Sequence, residues 1–113
     1  MLPLKNRLKK EKDFQCVFNK GRVINSDLMS IRVLTNGMEN TRVGFIVSKK
    51  VSKKAVLRNK IKRIFREVMR GNIGKMKGGF DVIVTAKGKI FEAQSEEIDE
   101  TMKRLLEKSN LFK

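Results

Sequence analysis

Residues 49–66, KKVSKKAVLRNKIKRIFR, hold nine of the chain's 27 basic residues and no acid. Any fold must leave one side of this segment in water or against a polyanion, because unpaired cations are costly to desolvate. Apolar residues fix the other side. Leu57, Ile61, Ile64, Phe65 and Val68 recur at i, i+4, i+7, i+8 and i+11, the spacing of one stripe along a helix. At about 100° per residue, Arg58, Lys62 and Arg66 form one row and Asn59, Arg63 and Arg70 another, both expected roughly opposite the stripe. The segment reads as a surface helix that docks by one face and presents cations on the other. Like charges at i, i+4 destabilise an isolated helix, so a polyanion explains the array better than a merely solvated face. Guanidinium forks held by a packed helix also suit regularly spaced phosphates better than a flexible tail would.

Composition narrows the partner. With 113 residues the chain can bury a real core, and its formal charge of +15 repels itself until a polyanion binds. Nucleic acid is the simplest such partner. No apolar run approaches about eighteen residues, which excludes a spanning helix, and Trp and Tyr are absent, so no membrane partner is expected. The N-terminus, MLPLKNRLKKEKDF, has no continuous apolar core or cleavage signal for export, and a cytoplasmic location is expected. The lone Cys16 forbids an internal disulfide or a multi-cysteine zinc site and is expected to be a partly buried small residue. The chain has no histidine, which removes the commonest general acid or base near neutrality and the usual Ser/His and Cys/His pairs. Asp13, Asp27, Glu39, Asp81 and Glu92 are scattered, and solvated or capping roles are expected for them rather than metal ligation.

The remaining pattern gives a coarse fold. After a basic lead-in, Phe14, Val17 and Phe18 share a face of a short helix over residues 11–20, and Gly21 is placed as its C′ stop. A brief strand over 22–26 precedes alternation at Met29, Ile31 and Val33, then a turn at Asn36 and Gly37, then alternation at Val43, Phe45 and Val47. Past the basic helix, glycines 71, 74, 78 and 79 mark a loose connection, and the nearly continuous apolar run 80–86 predicts a central strand. Ile98, Met102, Leu105 and Leu106 share a face of a last helix with acids near its positive end. The order αβββαβα predicts an α+β sandwich, helices on a four-stranded sheet, as one RNA-binding domain over residues 1–113.

In this order the chain resembles the protein subunit of bacterial ribonuclease P. Three features carry the resemblance: Asp13-Phe14 with Val17-Phe18 and Gly21, Arg42-Val43-Gly44 leading to Val47-Ser48-Lys49-Lys50, and the run Ala55-Val56-Leu57-Arg58-Asn59-Lys60-Ile61-Lys62-Arg63 continued by Arg66-Glu67. The last is similar to the family's AVxRNRxKRxxRE signature, with Lys60 where arginine is usual. The resemblance implies a left-handed β-α-β crossover around the basic helix and a fold similar to the second domain of a small-subunit ribosomal protein. Pattern alone favours a right-handed crossover.

It also implies a function. In this family the catalyst is an RNA with its Mg²⁺, and the protein assists removal of the 5′ leader of precursor tRNA. The partners are then ribonuclease P RNA and precursor tRNA, with no obligate protein partner and no catalytic residue in the protein. By position, Arg58, Asn59, Lys60, Lys62, Arg63 and Arg66 would face the catalytic RNA. Phe14, Phe18, Arg32, Ser48, Lys49 and Lys50 would bind the leader, aromatic faces stacking unpaired bases and lysines neutralising the backbone. Arg32 stands where some relatives carry tyrosine, and its guanidinium plane can stack as well as pair with phosphate. From spacing alone Phe14 and Phe18 read more readily as core anchors than as base platforms, and only the resemblance makes the two readings even. A structural RNA-binding protein, such as a ribosomal component, is the alternative reading, and a metal-dependent nuclease acting alone is a third.

Overall fold

The apolar run at residues 80–86 becomes a strand covered on both faces, and the architecture follows from it. The computed structural model describes residues 2–113. Its elements are α1 (Glu11–Lys20), β1 (Arg22–Asn25), β2 (Met29–Thr35), β3 (Arg42–Ile46), α2 (Ala55–Asn72), β4 (Phe80–Ala86) and α3 (Ser95–Lys108), with 3₁₀ turns at Leu4–Asn6, Ile73–Lys75 and Gly88–Glu92. The strands form one mixed sheet in the order β1-β2-β4-β3. β4 lies between β2, to which it is antiparallel, and β3, to which it is parallel, so α2 is a crossover connection.

Alternation along the strands divides the core. Met29, Ile31, Val33, Val43, Val82 and Val84 point to one face and meet Ile61, Phe65 and Met69 of α2 and Ile98, Met102, Leu105 and Leu106 of α3. Phe65 is fully buried, stacked on Phe45 with ring centroids 5.8 Å apart, and such burial contributes about 2–3 kcal/mol. On the opposite face Leu8, Val17 and Ile83 form a smaller cluster with Phe14, Leu34 and Ile46. Thus α1 covers one side of the sheet while α2 and α3 cover the other. β4 serves both layers, with Val82, Val84 and Ala86 toward α2 and α3 and Ile83 toward α1, flanked there by Asp81 and Thr85.

The lead-in is anchored by that architecture. β3 is an edge strand, and residues 2–8 run along it: Arg7 pairs in parallel with Val43, and the Leu8 amide donates to the Val43 carbonyl at 3.0 Å. Leu2 and Leu8 are buried. Packing there pairs one backbone carbonyl of the edge and leaves less of it open to another chain.

Gly21 stops α1 as expected, its amide donating to the Val17 carbonyl, but with φ −75° rather than the left-handed backbone common at such glycines. Glycine is required there because a Cβ would lie 2.6 Å from the Val17 carbonyl oxygen and 3.1 Å from that of Val33. The glycine-rich connection is also tighter than composition suggests: α2 continues through Gly71 to Asn72, whose Nδ2 donates to the Val68 carbonyl at 2.7 Å. Beyond it, Met76 bridges to Phe112, and the Lys77 amide donates to the Leu111 carbonyl at 2.7 Å.

Candidate nucleic-acid interface

Burial along α2 sorts the cations. The docking seam is Ile61, Phe65 and Met69. Asn59, Lys60, Arg63, Arg66 and Arg70 are exposed, whereas Arg58 and Lys62 are half-buried. Arg58 precedes Ile61 by three positions and Phe65 by seven, so helical geometry puts it on the docking side rather than opposite it. Lys62 sits on the flank toward the β3 edge, where it lines a cleft with Phe45. The expected single row of Arg58, Lys62 and Arg66 is therefore a flank that rotates out into solvent. Leu57, expected in the docking stripe, is 37% exposed and borders an open groove toward Ile90 and Phe91. Among the described residues, none of the α2 cations is in an ion pair.

The turn into α2 is built from its own backbone and one arginine. The amides of Val51 and Ser52 donate to the Ser48 carbonyl at 3.1 and 3.4 Å. The Lys54 amide donates to Ser52 Oγ at 3.2 Å, and Arg58 Nη1 donates to the Ser52 carbonyl at 2.9 Å. Ser48 is half-buried, while Lys49 and Lys50 project into solvent. α2 has no acid in its first turn, unlike α3, which has Glu96 and Glu97 there. The positive end of the α2 dipole is thus left uncompensated beside Lys53 and Lys54, which adds to the field an anion meets.

On the other face, α1 separates the two phenylalanines. Phe14 lies over Gly44: a Cβ built on Gly44 would collide with Phe14 Cζ and lie 2.7 Å from Cε1. The ring is half-buried in the smaller core cluster. Phe18, one turn on, is 38% exposed, and the Arg32 guanidinium carbon stands 4.7 Å from its ring centroid. Arg32 is half-buried, and its Nε is enclosed without a hydrogen-bond partner, as is Thr85 Oγ1 on β4. The side chains of Arg32 and Thr85 share the α1 face of the sheet, because Ser30 pairs with Thr85 and Arg32 with Ile83.

One network tethers α1 to this face, and the sequence did not disclose it. Arg42 on β3 donates through Nε and Nη2 to the two carboxylate oxygens of Asp81 on β4, at 2.9 and 2.7 Å. Its Nη1 reaches Asp13 on α1 at 3.4 Å. Asn36 Nδ2 donates to Asp81 Oδ1 at 2.9 Å. The Asp81 hydrogen bonds, then the charges of Asp81 and Asp13, outweigh partial burial and raise the Arg42 pKa above its ordinary value. The two acids that approach each other are therefore committed to a guanidinium, which makes them poor metal ligands. Among the described residues no three His, Cys, Asp or Glu side chains converge as a metal site. Cys16, expected to be partly buried, is exposed.

Among the described residues no helix is long and apolar enough to cross a membrane. The cation-bearing helix on one face of the sheet, and the exposed Phe18 ring beside Arg32 on the other, fit a small nucleic-acid-binding protein of the α+β class. The family model described as Ribonuclease P matches residues 2–110. The ribonuclease P protein component of Alkaliphilus oremlandii is 42% identical over 107 residues, covering 95% of this chain and 93% of its own. That of Fusobacterium nucleatum is 38% identical over 111 residues, covering 95% and 99%. Among solved structures, the RNase P protein of Staphylococcus aureus superposes with a TM-score of 0.88 at 30% identity, covering 96% of this chain and 98% of that one. The RNase P protein of Thermotoga maritima gives 0.82 at 32% identity, covering 90% and 96%. The chain belongs to the ribonuclease P protein family, the protein component of the enzyme that processes the 5′ end of tRNA.

Proposed function

We propose that this chain is the accessory subunit of a cytoplasmic ribonucleoprotein in which an RNA carries out the phosphodiester hydrolysis. The exposed cations of α2, which form no internal ion pair among the described residues, carry the reading. Arg63 and Arg66, with Asn59 and Lys60, contact backbone phosphates of the catalytic RNA, and Lys62 joins them from the flank toward β3. Arg58 contributes its remaining donors at the edge of the same surface. The leader of precursor tRNA lies along the α1 face, where Phe18 and Arg32 offer flat surfaces for unpaired bases and Ser48, Lys49 and Lys50 meet the backbone. Phe14 acts there mainly as the buttress of α1.

Mg²⁺ is assigned to the RNA, since the paired acids of the protein are held by Arg42. The protein's cations screen RNA phosphates and so lower the magnesium needed for folding and activity, while leader contacts favour precursor over mature tRNA. Reconstitution with a ribonuclease P RNA from the same source tests the whole reading. The protein should raise cleavage of a leader-bearing precursor at low magnesium and give no cleavage without the RNA. Absence of stimulation would favour a purely structural RNA-binding role, and cleavage by the protein alone would indicate an independent nuclease.

A further inference from the structure

Between the leading segment, α1, the β3 edge and α2 lies a cleft of about 340 Å³, a volume in the range of small-ligand sites. Its rim is Arg7, Lys9, Lys62 and Arg66, and no acid lines it. The walls are apolar, with Phe14 and Phe45 among them. The other clefts described mix acids with cations: Asp27, Glu92, Glu97 and Glu100 stand with Lys89, Arg104 and Lys108 between the β1–β2 turn and α3, Glu96 with Lys60 beside Leu57, and Glu107 with three lysines at the C-terminus. Lys9 and Arg66 are exposed, and among the described residues neither forms an internal ion pair.

Cations around an apolar slot fit one nucleotide unit, the base against hydrocarbon and ring surface and the flanking phosphates on the rim. A fully paired helix could not use the slot, because its bases are already stacked inside. We propose that this cleft receives a single unpaired nucleotide of the catalytic RNA, extending the α2 contact surface around the β3 edge to Arg7 and Lys9. The commitment to that RNA rests on the proposed role of α2, because Lys62 and Arg66 belong to both surfaces. The leading segment then has two tasks, covering the β3 edge and forming one wall of the slot.

Arg7 is a poor probe, since its Nε donates to the Leu2 carbonyl at 2.7 Å and anchors the segment. Lys9 is exposed and therefore clean. Binding of the catalytic RNA, without precursor, should weaken about three- to ten-fold in Lys9→Ala, and the log–log salt slope should fall by roughly 0.7 to 0.9, one phosphate contact. Arg63→Ala, outside the cleft, is titrated in parallel and reports on the α2 reading itself. In a Cys16→Ser background, Lys9→Cys carrying a photoactivatable group should cross-link the catalytic RNA at a nucleotide that chemical probing shows to be unpaired. Unchanged affinity and slope for Lys9→Ala, while Arg63→Ala weakens binding, would overturn the cleft assignment alone. Cross-links confined to precursor leader or to paired nucleotides would overturn it too. If neither variant weakens binding, the α2 reading fails with it.

Discussion

Arg58 reaches back to Ser52: its Nη1 donates to the Ser52 carbonyl at 2.9 Å, six positions earlier in the chain. One guanidinium thereby ties the first turns of α2 to the loop that presents Ser48, Lys49 and Lys50. A hydrogen bond from a charged donor contributes about 1.5–3 kcal/mol, less when half-exposed, so its loss should loosen the loop by about 1 kcal/mol. In the holoenzyme at saturating catalytic RNA, Arg58→Ala is expected to lower the precursor-to-mature binding ratio roughly five-fold. Arg63→Ala, with no such bond, should leave that ratio unchanged. Equal ratios in both variants would remove the coupling between helix and loop.

The two phenylalanines of α1 should separate experimentally. Phe14 fills the space left by Gly44, and Phe14→Ala is expected to destabilise the fold by about 2–3 kcal/mol, somewhat below the full cost for a wholly buried ring. Phe18→Ala should keep the melting temperature within a few degrees, shown by circular dichroism, and lose preference for leader-bearing substrate. Collapse of the Phe18 variant would make that ring a core residue instead.

Arg32 stands over the Phe18 ring at 4.7 Å with Nε unpartnered. Arg32→Lys keeps the charge and loses the plane. If the leader uses that plane, precursor affinity should fall about three- to five-fold with the salt slope nearly unchanged, since no phosphate charge is lost. A reduced slope with no change in leader discrimination would make Arg32 a simple phosphate contact.

The Asp13, Arg42 and Asp81 network is expected to act on stability. Arg42→Ala strands the Asp81 carboxylate, whose side chain is 7% exposed, and should cost about 2–4 kcal/mol in urea denaturation. The Arg42 pKa is raised, so the stabilisation tied to its own titration is complete below the ordinary guanidinium range and is lost only as pH rises through the higher folded value. Stability should therefore show no dependence on Arg42 ionisation near neutrality. A variant as stable as the parent would mean that the network is dispensable.

What the sequence disclosed follows from which interactions are local. The run 80–86 predicted a central strand because apolar residues on both sides of a strand need cover on both, and β4 has β2 and β3 beside it. Periodicity gave α1 an apolar stripe, yet the choice of sheet face depends on packing between distant segments. The Arg42 and Asp81 pairing, 39 positions apart, is invisible for the same reason. One misreading and one unread contact had available signals. Arg58 sits three residues before Ile61, on the docking side, but its charge suggested the opposite face. Gly44, a position without a side chain in an alternating strand, marks a close approach and points to a large neighbour such as Phe14.

The central claim, that the outward cations of α2 meet RNA phosphates, is tested most directly by the salt dependence of catalytic-RNA binding. For Arg63→Ala combined with Arg66→Ala, the log–log slope should fall by roughly 1.4 to 1.8 relative to the parent, two phosphate contacts of about 0.7 to 0.9 each. A slope equal to the parent's, in a double variant shown to be folded, would contradict it.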